Sequence, residues 1–541
     1  MEKDNKKKAG PVVSVVLSTY NRPQYLHQAV ASILRQSYRD LQVIVVNDGG
    51  VNVSEIVNSF RDPRLMLINR KENMGKAYSL NEALNRADGR YVAYLDDDDL
   101  YYPHHIETLV HALEYETDCE VAYSDFYKTY CRILSDGSRQ VLSKVVEVSR
   151  DFDRFLMLHF NHVLHVCLMH RRDLIEKTGP YNDQLNILID WDMTRRLAFF
   201  SDFYHIPEIT GEYYHPMGDS DRISVQRRKD KQEYQRNVLT IRTTTPPKPW
   251  KKIQDTSIIL ASRRLNKRMG ETIGAIWRYT FVPYKLYLPL PESDVHWLNT
   301  DMPNLICEPV SPFSSLAQSV DTILERCEDE YIAIVPNGFP VQEFWIECAL
   351  HALINGSPDD PGFELKESTG RLWGAVVRRN VLRSARKTFP HLPVRDSLRA
   401  SGAALRQPEF KELPFQFDNL LREAKSEEQD GNWLEAARMY ERIGERYHNE
   451  LWMTRLAAKA FFKAGAYEKA TRLSRNVNQQ HPTVDTLLLE AKIKSQEEDL
   501  NSAIKLLKTA EHILSGSDGS VNHSLASAQT SAFKRLQEGY S

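Results

Sequence analysis

Hydrophobic and polar positions follow two different spacings along the first hundred residues. Short apolar runs, of which the first two are rich in β-branched residues, have the composition of buried strands, and they lie at 11–18, 41–46, 64–68 and 91–95. Between these runs apolar residues recur at helical spacing; the first set is Leu26, Ala29, Val30, Ile33 and Leu34, and a later helix is expected over 73–87. Strands that alternate with helices predict an α/β fold with a parallel sheet and right-handed crossovers.

Polar residues follow the strand-like runs at the points where the runs end. Four consecutive carboxylates, Asp96 to Asp99, come directly after the fourth run, while Thr19 and Asp48 come after the first and second. Since the carboxyl ends of parallel strands meet at one edge of a sheet, we expect these side chains to converge on a crevice. Clustered carboxylates suit Mg²⁺ or Mn²⁺, ions that usually also bind substrate phosphates. The alternative is a solvated acidic turn, which is the commoner fate of a charge run.

The composition excludes several classes of protein. A chain of 541 residues predicts about three or four domains, and its 42% apolar content allows most of it to fold around cores. The net charge of −3 argues against a general nucleic-acid-binding protein. The six cysteines show no CxxC spacing, which argues against a zinc site or a disulfide framework and fits a reducing setting.

The sequence shows no membrane or export signal. No apolar run reaches the roughly 18 residues needed to span a bilayer, and no signal peptide is visible. We therefore expect a cytoplasmic protein without a transmembrane segment. The basic segment at 1–10 is interpreted as a solvated tail rather than as a membrane anchor.

Five sequence strings together resemble one known family. They are VSVVLSTYNRP, VIVVNDGG, NMGKAYSLNEAL, GRYVAYLDDDDLYYP and LIDWDMTRRLA. In this order and spacing they resemble the nucleotide-sugar glycosyltransferases of family 2, which have the GT-A fold, and the resemblance covers residues 11–225. It implies an inverting hexosyltransferase with a divalent metal, Mn²⁺ or Mg²⁺. It also implies a nucleoside-diphosphate sugar as donor, with a UDP-sugar as the first candidate.

The resemblance assigns several residues to the donor side. Asp48 matches the acid that accepts a hydrogen bond from the donor base, and the alternative is an ordinary Asp-Gly turn residue. Thr19 and Tyr20 match the loop that borders the nucleoside. Lys76 matches a basic position near the base and the phosphates, with an ordinary exposed lysine as the alternative.

The acidic run matches the Asp-x-Asp element of the family. Asp98 is the expected direct metal ligand, with Asp96 in support. Asp97 is expected to face the nucleoside sugar, and Asp99 is expected to brace the loop. His215 matches a histidine that some relatives use as a further metal ligand, and the alternative is a structural histidine.

The acceptor side is expected around a helix that begins near residue 189. Asp190 matches the catalytic base of the family, and a helix N-terminus stabilises the anionic form of such a carboxylate. The family often has Glu before this position, where this chain has Ile189, and Asp192 is the competing candidate for the base. Further candidates are His159, Asn161 and His162 at the acceptor, with core packing as the alternative, and Arg222 and Ser224 in a loop that closes on the diphosphate.

A second part of the chain repeats the first in a damaged form. Positions 79–113 align with 319–353 without a gap, and ten of the 35 pairs are identical. The four carboxylates are replaced there by Pro336, Asn337, Gly338 and Phe339, none of which can replace a carboxylate pair around a metal ion. We therefore predict a degenerate GT-A-like domain at 256–415 that packs against or steers the first domain, joined to it by a linker at 226–255. The rival interpretation is a metal-independent second enzyme.

The C-terminal part shows a helical repeat. Two similar strings, GNWLEAA at 431–437 and GAYEKAT at 465–471, lie 34 residues apart, and LNSA at 500–503 continues the series. This period resembles tetratricopeptide repeats, so we predict an all-α repeat domain at 416–514 followed by a tail at 515–541. Such repeats bind proteins or peptides or form a homodimer interface, and the alternative is a structural cap on the second domain.

These predictions lead to one favoured function and one alternative. The favoured function is sugar transfer from a nucleotide sugar to a hydroxyl of a protein or surface-glycan acceptor. The alternative is a catalytically inactive scaffold or protein-binding module. Intact Asp48, Asp96, Asp98 and Asp190 argue for the enzyme.

Overall fold

The computed structural model describes most of the chain, and the observations below concern the described residues. These are 12–146, 149–217, 231–262, 265–295, 304–342, 344–366, 371–407, 414–446, 451–480, 482 and 484–515. The basic tail at 1–10, the loop candidates Arg222 and Ser224, and the C-terminal tail after residue 515 lie outside them.

The first sheet has nine strands. They are β1 (Val13–Thr19), β2 (Leu41–Asn47), β3 (Leu65–Asn69), β4 (Tyr91–Asp96), β5 (Leu100–Tyr101), β6 (Val121–Ile133), β7 (Arg139–Val145), β8 (Leu168–Arg171) and β9 (Phe203–Pro216). Their order is β3-β2-β1-β4-β8-β6-β9-β5, with β7 paired to β6. Strands β1 to β4 are parallel and β8 is antiparallel to β4, which confirms the predicted α/β fold with a GT-A sheet.

The strand register brings the predicted site residues to one edge. Thr19 lies opposite Asn47, and Ser18 lies opposite Asp96. The ends of β1, β2 and β4 are therefore level, so the residues that follow them share one crevice. The segment 212–216, which carries His215, is the end of β9.

Eight helices accompany this sheet among the described residues. They are α1 (Pro23–Leu34), α2 (Ser54–Ser59), α3 (Lys76–Leu84), α4 (His105–His111), α5 (Arg154–His159), α6 (Leu174–Thr178), α7 (Ile189–Leu197) and α8 (Lys231–Thr243). A π-helical turn at Ala112–Glu116 continues α4. The predicted linker at 226–255 thus contains a 13-residue helix. It buries Ile241 completely, so part of this segment packs as core rather than as a spacer.

The second sheet repeats much of this topology. Its strands are β10 (Thr256–Ala261), β11 (Tyr284–Leu290), β12 (Leu305–Pro309), β13 (Tyr331–Pro336), β14 (Gly362–Lys366) and β15 (Trp373–Arg378), in the order β12-β11-β10-β13-β15-β14. Three parallel pairings and an antiparallel β13–β15 pair match those around β1 and β4. This order favours the prediction of a second, shortened copy. Its helices are α9 (Lys267–Tyr279), α10 (Glu292–Val295), α11 (Leu316–Arg326), α12 (Glu347–Asn355), α13 (Arg379–Thr388) and α14 (Val394–Ala400).

One apolar core is shared by the two sheets. The ring of His159, at the end of α5, packs 4.3 Å from Phe281 and 4.9 Å from Phe344. The fully buried guanidinium of Arg195 on α7 donates to the carbonyl oxygens of Thr244 at 2.6 Å and Phe281 at 3.4 Å. The helix that carries Asp190 is therefore bonded directly to the second part of the chain.

A buried carboxyl group in this interface gives a pH-dependent prediction. Glu347 on α12 is completely buried, and its Oε1 accepts the N–H groups of Phe281 at 2.6 Å and Val282 at 3.1 Å. Burial raises the pKa of the Glu347 carboxyl to about 7. Because this folded-state pKa exceeds the ordinary value near 4.5, folded-state stability decreases as pH rises from about 4.5 to about 7.

Glu347→Gln is expected to remove this dependence, since the amide oxygen can still accept both N–H groups but carries no charge. Relative to the wild type, the variant should gain roughly 2–3 kcal/mol of stability between pH 5 and pH 8. Thermal unfolding at the two pH values measures the difference. An equal shift in Tm at both values would contradict the assignment of the raised pKa to Glu347.

Six helices form the described part of the C-terminal region. They are α15 (Pro414–Gln429), α16 (Trp433–Arg446), α17 (Leu451–Lys463), α18 (Tyr467–Gln480), α19 (Val484–Gln496) and α20 (Leu500–Ser515). Small side chains are buried where the helices meet, among them Ala436, Ala457 and Ala470, which agrees with the all-α prediction.

The helices α19 and α20 pack on β7 of the first sheet. The hydroxyl of Tyr127 on β6 also donates to the carbonyl oxygen of Pro482 at 2.7 Å. These contacts are made with the first sheet, so they do not favour the alternative that the repeats cap the second domain. None of the described helices combines the length and the hydrophobicity needed to cross a bilayer.

Candidate active site

The acidic loop lies at the carboxyl edge of the first sheet. Strand β4 ends at Asp96, and a tight turn carries Asp97 to Asp99 before β5 begins. Asp96, Asp98 and Asp99 each offer a carboxylate oxygen within 4.8 Å of the others, and they form the one such group of possible ligands in the described part of the chain. Three clustered carboxylates are the donors that Mg²⁺ and Mn²⁺ prefer, so this group fits a divalent cation.

Two cations neutralise the loop from neighbouring elements. Lys76, the first residue of α3, places its Nζ 2.5 Å from Asp96 Oδ1. Arg22, which directly precedes α1, places Nη1 3.0 Å from Asp98 Oδ2 and 3.6 Å from Asp97 Oδ1. Because both cations come from segments that follow other strand ends, the sheet edge brings together residues that are far apart in the sequence, such as Arg22 and Asp98 at 76 positions.

Asp97 faces the protein rather than an open surface. It is 5% exposed, and its Oδ2 accepts the hydroxyl of Thr19 at 2.7 Å. Burial, reinforced by the neighbouring charge of Asp98, raises the pKa of the Asp97 carboxyl to about 7. The expected contact between Asp97 and a nucleoside sugar is not favoured by this position. Asp99 accepts the N–H of Tyr214 at 2.9 Å and so ties the loop to β9.

Asp48 has a structural task as well as a position in the crevice. Its Oδ1 accepts from Arg70 at 2.9 Å and from the N–H of Met74 at 3.0 Å, and its Oδ2 accepts the N–H of Gly75 at 2.9 Å. The next residue, Gly49, has φ +72°, and a Cβ there would lie 2.3 Å from the carbonyl carbon of Glu72. Asp48 therefore also has the structural role that the turn interpretation expected, because it holds the segment that leads into α3.

Asp190 lies at the start of α7, beside Asn161. It is the second residue of α7, and its Oδ2 is 3.4 Å from Asn161 Nδ2. Burial by itself lowers the pKa of the Lys76 ammonium, but neighbouring carboxylates raise it by more, so its net pKa is above the ordinary value. Those carboxylates are Asp96, Asp190 and Asp98. Lys76 is therefore close enough to both the acidic loop and the predicted base to feel their charges.

The backbone before Asp190 is strained. Leu188 has φ +62° and ψ +20°, a left-handed conformation that is costly for a residue with a Cβ. Such conformations persist where the surrounding structure enforces them, and they cluster at functional sites. The left-handed residue lies directly before α7, which begins at Ile189 and has Asp190 as its second residue.

Asp192 differs from Asp190 in its surroundings. It is 1% exposed, and its Oδ2 accepts two hydrogen bonds from Arg196, at 2.6 and 3.1 Å. Arg196 also donates to the carbonyl oxygen of Thr178 at 2.7 Å. A carboxylate held inside a buried ion pair is poorly placed to take a proton from a substrate, so the structure favours Asp190 over Asp192.

The predicted histidines lie away from the carboxylate group. His215 on β9 has its ring 5.3 Å from that of Tyr130 and is not part of the group; its role as a ligand stays a prediction that this position does not favour. His162 stacks on Phe152 at 5.7 Å, and burial lowers its pKa to about 3. His162 and His159 thus follow the alternative of core packing, whereas Asn161 does reach the site. Tyr20 is 42% exposed beside the crevice.

Three arginines at the site were missed in the sequence. Arg22 lies within the turn TYNRP and Arg70 follows β3, so both occupied positions where the sheet-edge argument could have found them. Arg70 also stacks over the ring of Tyr78 at 4.2 Å. Arg139, at the start of β7, donates to the carbonyl oxygen of Asp98. No local pattern marks Arg139, because its contact depends on how a hairpin folds back over the loop.

The matching edge of the second sheet has different chemistry. Gly338 takes the place of Asp98 in the 240-residue offset, and a Cβ added there would lie 1.8 Å from Nε of Arg268. Asn337 is bonded to Ser262 at 3.3 Å and to Asn266 at 3.2 Å. An arginine side chain therefore fills the space that a carboxylate occupies in the first sheet.

Comparisons with known proteins identify the family. The family model for glycosyl transferase family 2 matches residues 14–178. An uncharacterised glycosyltransferase of Methanocaldococcus jannaschii is 29% identical over 227 residues, which are 40% of this chain and 76% of that protein. The uncharacterised glycosyltransferase YwdF of Bacillus subtilis is 30% identical over 191 residues, which are 34% of this chain and 68% of that protein. The structure of S. aureus TarS 1-349 in complex with UDP-GlcNAc matches with 17% identity and a TM-score of 0.34, over 43% of this chain and 66% of that one. The chain therefore belongs to glycosyl transferase family 2.

Proposed function

We propose that the first sheet transfers a sugar from a nucleoside-diphosphate donor to an acceptor hydroxyl, with inversion at the anomeric carbon. The observation that carries the proposal is the carboxylate group at the sheet edge, with Lys76 bonded to Asp96 and close enough to Asp190 to feel its charge. In this proposal the acidic loop supplies carboxylates that bind a cation, and Lys76 supplies a positive charge for a phosphate. Asp190 supplies the base. Transfer with inversion needs these two chemistries on opposite sides of the reacting carbon.

The residues that would hold a divalent cation are Asp98 and Asp96. Once bound, Mn²⁺ or Mg²⁺ supplies positive charge to the departing diphosphate. Arg22 and Lys76 now neutralise these carboxylates, and we propose that Lys76 turns to the donor phosphates when a cation takes over that task. A lysine suits this exchange because its ammonium is a compact point charge on a flexible stem.

The base of the reaction is Asp190 in this proposal. The acceptor oxygen forms a bond to the anomeric carbon while the bond from that carbon to the diphosphate oxygen breaks, and the hydroxyl proton passes to Asp190. Asn161 lies 3.4 Å from Asp190 Oδ2 and would orient the carboxylate. The N-terminal position on α7 stabilises the ionised form.

The donor base would lie against Asp48, Thr19 and Tyr20. A carboxylate oxygen has room for two hydrogen bonds, so Oδ2 of Asp48 could accept a base N–H beside that of Gly75. This arrangement suits an imide N–H, and we therefore propose a UDP-sugar as donor. The acceptor would be a protein or a surface glycan, with the C-terminal helices in acceptor capture or a homodimer interface.

Donor hydrolysis tests the proposal directly. Purified protein is incubated with a panel of UDP- and GDP-sugars and Mn²⁺, and nucleotide release is measured with and without a chelator. Release that depends on Mn²⁺ is expected with at least one donor. Absence of release from the whole panel, together with absence of Mn²⁺ binding, would instead favour the scaffold alternative.

Metal stoichiometry tests the degenerate second domain. Because Arg268 occupies the place of the missing carboxylate at Gly338, we expect a single Mn²⁺ site per full-length chain. Isothermal titration calorimetry measures the number, and Asp98→Ala should remove the binding entirely. A second site, or one that survives in the Asp98 variant, would contradict the pseudo-transferase interpretation.

A further inference from the structure

Arg139 joins three elements that surround the acidic loop. Its Nη1 donates to the carbonyl oxygen of Asp98, and its Nη2 donates to Gln28 Oε1 on α1 at 3.0 Å. The guanidinium plane lies 3.6 Å from the ring centre of Tyr214 on β9 and 4.6 Å from that of Tyr25 on α1. Tyr214 in turn donates its N–H to Asp99. One side chain therefore bonds to the loop while stacking on both neighbours of the loop.

The strand that carries Arg139 has little support from the sheet itself. In the described part of the chain β7 pairs with β6 and lies off the main strand order. Strand β6 is held along most of its length by β9, whereas β7 is an edge strand. An edge strand with one partner depends on packing from elsewhere.

Two contacts supply that packing. The ammonium of Lys144 on β7 lies 2.6 Å from Glu212 Oε1 on β9, with side chains that are 2% and 4% exposed. Glu212 also accepts from Tyr102 at 2.9 Å and from Thr129 at 3.1 Å, so the buried charge is fully bonded. The second contact is made by α19 and α20, which pack on β7, with the bond from Tyr127 to the carbonyl of Pro482 beside them.

We propose that Arg139 is a positioning residue for the acidic loop, and that the C-terminal helices keep it in place by packing on β7. The link to catalysis rests on the proposed function, because it assumes that the loop holds the metal. Without the bond to its carbonyl, the turn at Asp98 loses a charged donor and its carboxylates separate more easily under their own repulsion. The C-terminal helices would then influence the metal affinity of the loop through β7 and Arg139.

The first experiment measures loop order without metal. Hydrogen–deuterium exchange is followed in the peptide that spans 96–102 for the full-length wild type, Arg139→Ala and Arg139→Lys. Arg139→Ala should exchange about tenfold faster there, since a charge-assisted hydrogen bond is lost. Arg139→Lys should fall between the two, because lysine keeps a donor but loses the planar fork that stacks on tyrosine. Unchanged exchange in Arg139→Ala would overturn the positioning role.

The matched control is an arginine on the same hairpin. Arg132 is exposed and lies opposite Gln140 in the β6–β7 pairing. Arg132→Ala should leave exchange in the loop peptide at the wild-type rate. A similar increase in both variants would show that any charge removed from the hairpin disturbs the loop, and the proposal would fail.

The second experiment tests whether Arg139 affects metal binding by the acidic loop. Mn²⁺ affinity is measured by electron paramagnetic resonance, and Arg139→Ala should weaken it about tenfold while saturating Mn²⁺ restores donor turnover. A purely structural defect would not be rescued in this way and would contradict the proposal. If the wild type binds no Mn²⁺, the proposed metal-dependent function fails, and the exchange experiment still decides whether Arg139 orders the loop.

The contribution of the C-terminal helices is tested with Tyr127→Phe. This variant loses only the hydroxyl that bonds to Pro482. Loss of one buried hydrogen bond should speed exchange in the β7 peptide about fivefold, with a smaller increase in the 96–102 peptide. Faster exchange in neither peptide would show that the helices do not hold the strand.

Discussion

Asp98→Ala is expected to abolish Mn²⁺-dependent donor turnover, with a loss of about 10³-fold or more, while the protein stays folded. The physical reason is that Asp98 belongs to the only carboxylate group of this kind in the described chain and lies in a turn between strands. Its removal also reduces repulsion among neighbouring acids, which compensates for the lost ion pair with Arg22. Nucleotide release, Mn²⁺ titration and thermal unfolding measure the three effects.

A control carboxylate separates this loss from a general effect of charge. Asp118 is exposed in the same part of the chain, and Asp118→Ala should keep wild-type turnover and metal binding. If Asp98→Ala itself retains near wild-type activity, the assignment of the metal to this loop is wrong. A large drop in Tm that accompanies the lost activity would point to a structural role for the loop instead.

Local patterns were sufficient for the strands and for the edge that carries the site. The runs at 13–19, 41–47 and 91–96 are short, apolar and buried along nearly their whole length, so their length and composition identified them. Once strands alternate with helices, the parallel order fixes which ends meet. Thr19, Asp48 and Asp96 could therefore be brought together before any contact was known.

Contacts between distant segments were beyond such patterns. Arg139 bonds to the carbonyl of a residue 41 positions away, and this requires a hairpin to fold back over the loop. His159 packs between Phe281 and Phe344 because two sheets share one core, although its position near the site suggested an acceptor role. The same limit explains α8, since the proline cluster after it dominated the composition of the predicted linker.

The loss of the acids in the second sheet was visible in the sequence, but its consequence was not. Alignment showed Gly338 in place of a carboxylate, whereas the structure adds that Arg268 fills the space. Arg268 and Arg22 both lie at the start of the helix that follows the first strand of their sheets. In one sheet the arginine pairs with a carboxylate, and in the other it occupies the place from which the carboxylate is missing.

Asp190→Asn is expected to bind donor and metal normally but to lose sugar transfer by about 10² to 10⁴-fold, because an amide cannot take the proton of the acceptor hydroxyl. The substitution keeps the size of the side chain and its neighbour Asn161, so α7 should remain in place. Transfer to acceptor is measured beside donor affinity, and Tm is compared with the wild type.

Asp192→Asn is the matched variant on the same helix, and it should lose stability while largely keeping sugar transfer. Its buried pair with Arg196 would be broken, which leaves a buried guanidinium without its carboxylate and should lower stability by about 3 kcal/mol. Transfer per folded molecule should then change much less than in Asp190→Asn. A severe loss of transfer in Asp192→Asn, with full activity in Asp190→Asn, would move the base to Asp192. It would also mean that the Arg196 pair opens during the reaction, since Asp192 is 1% exposed and a substrate hydroxyl could not reach it in this conformation.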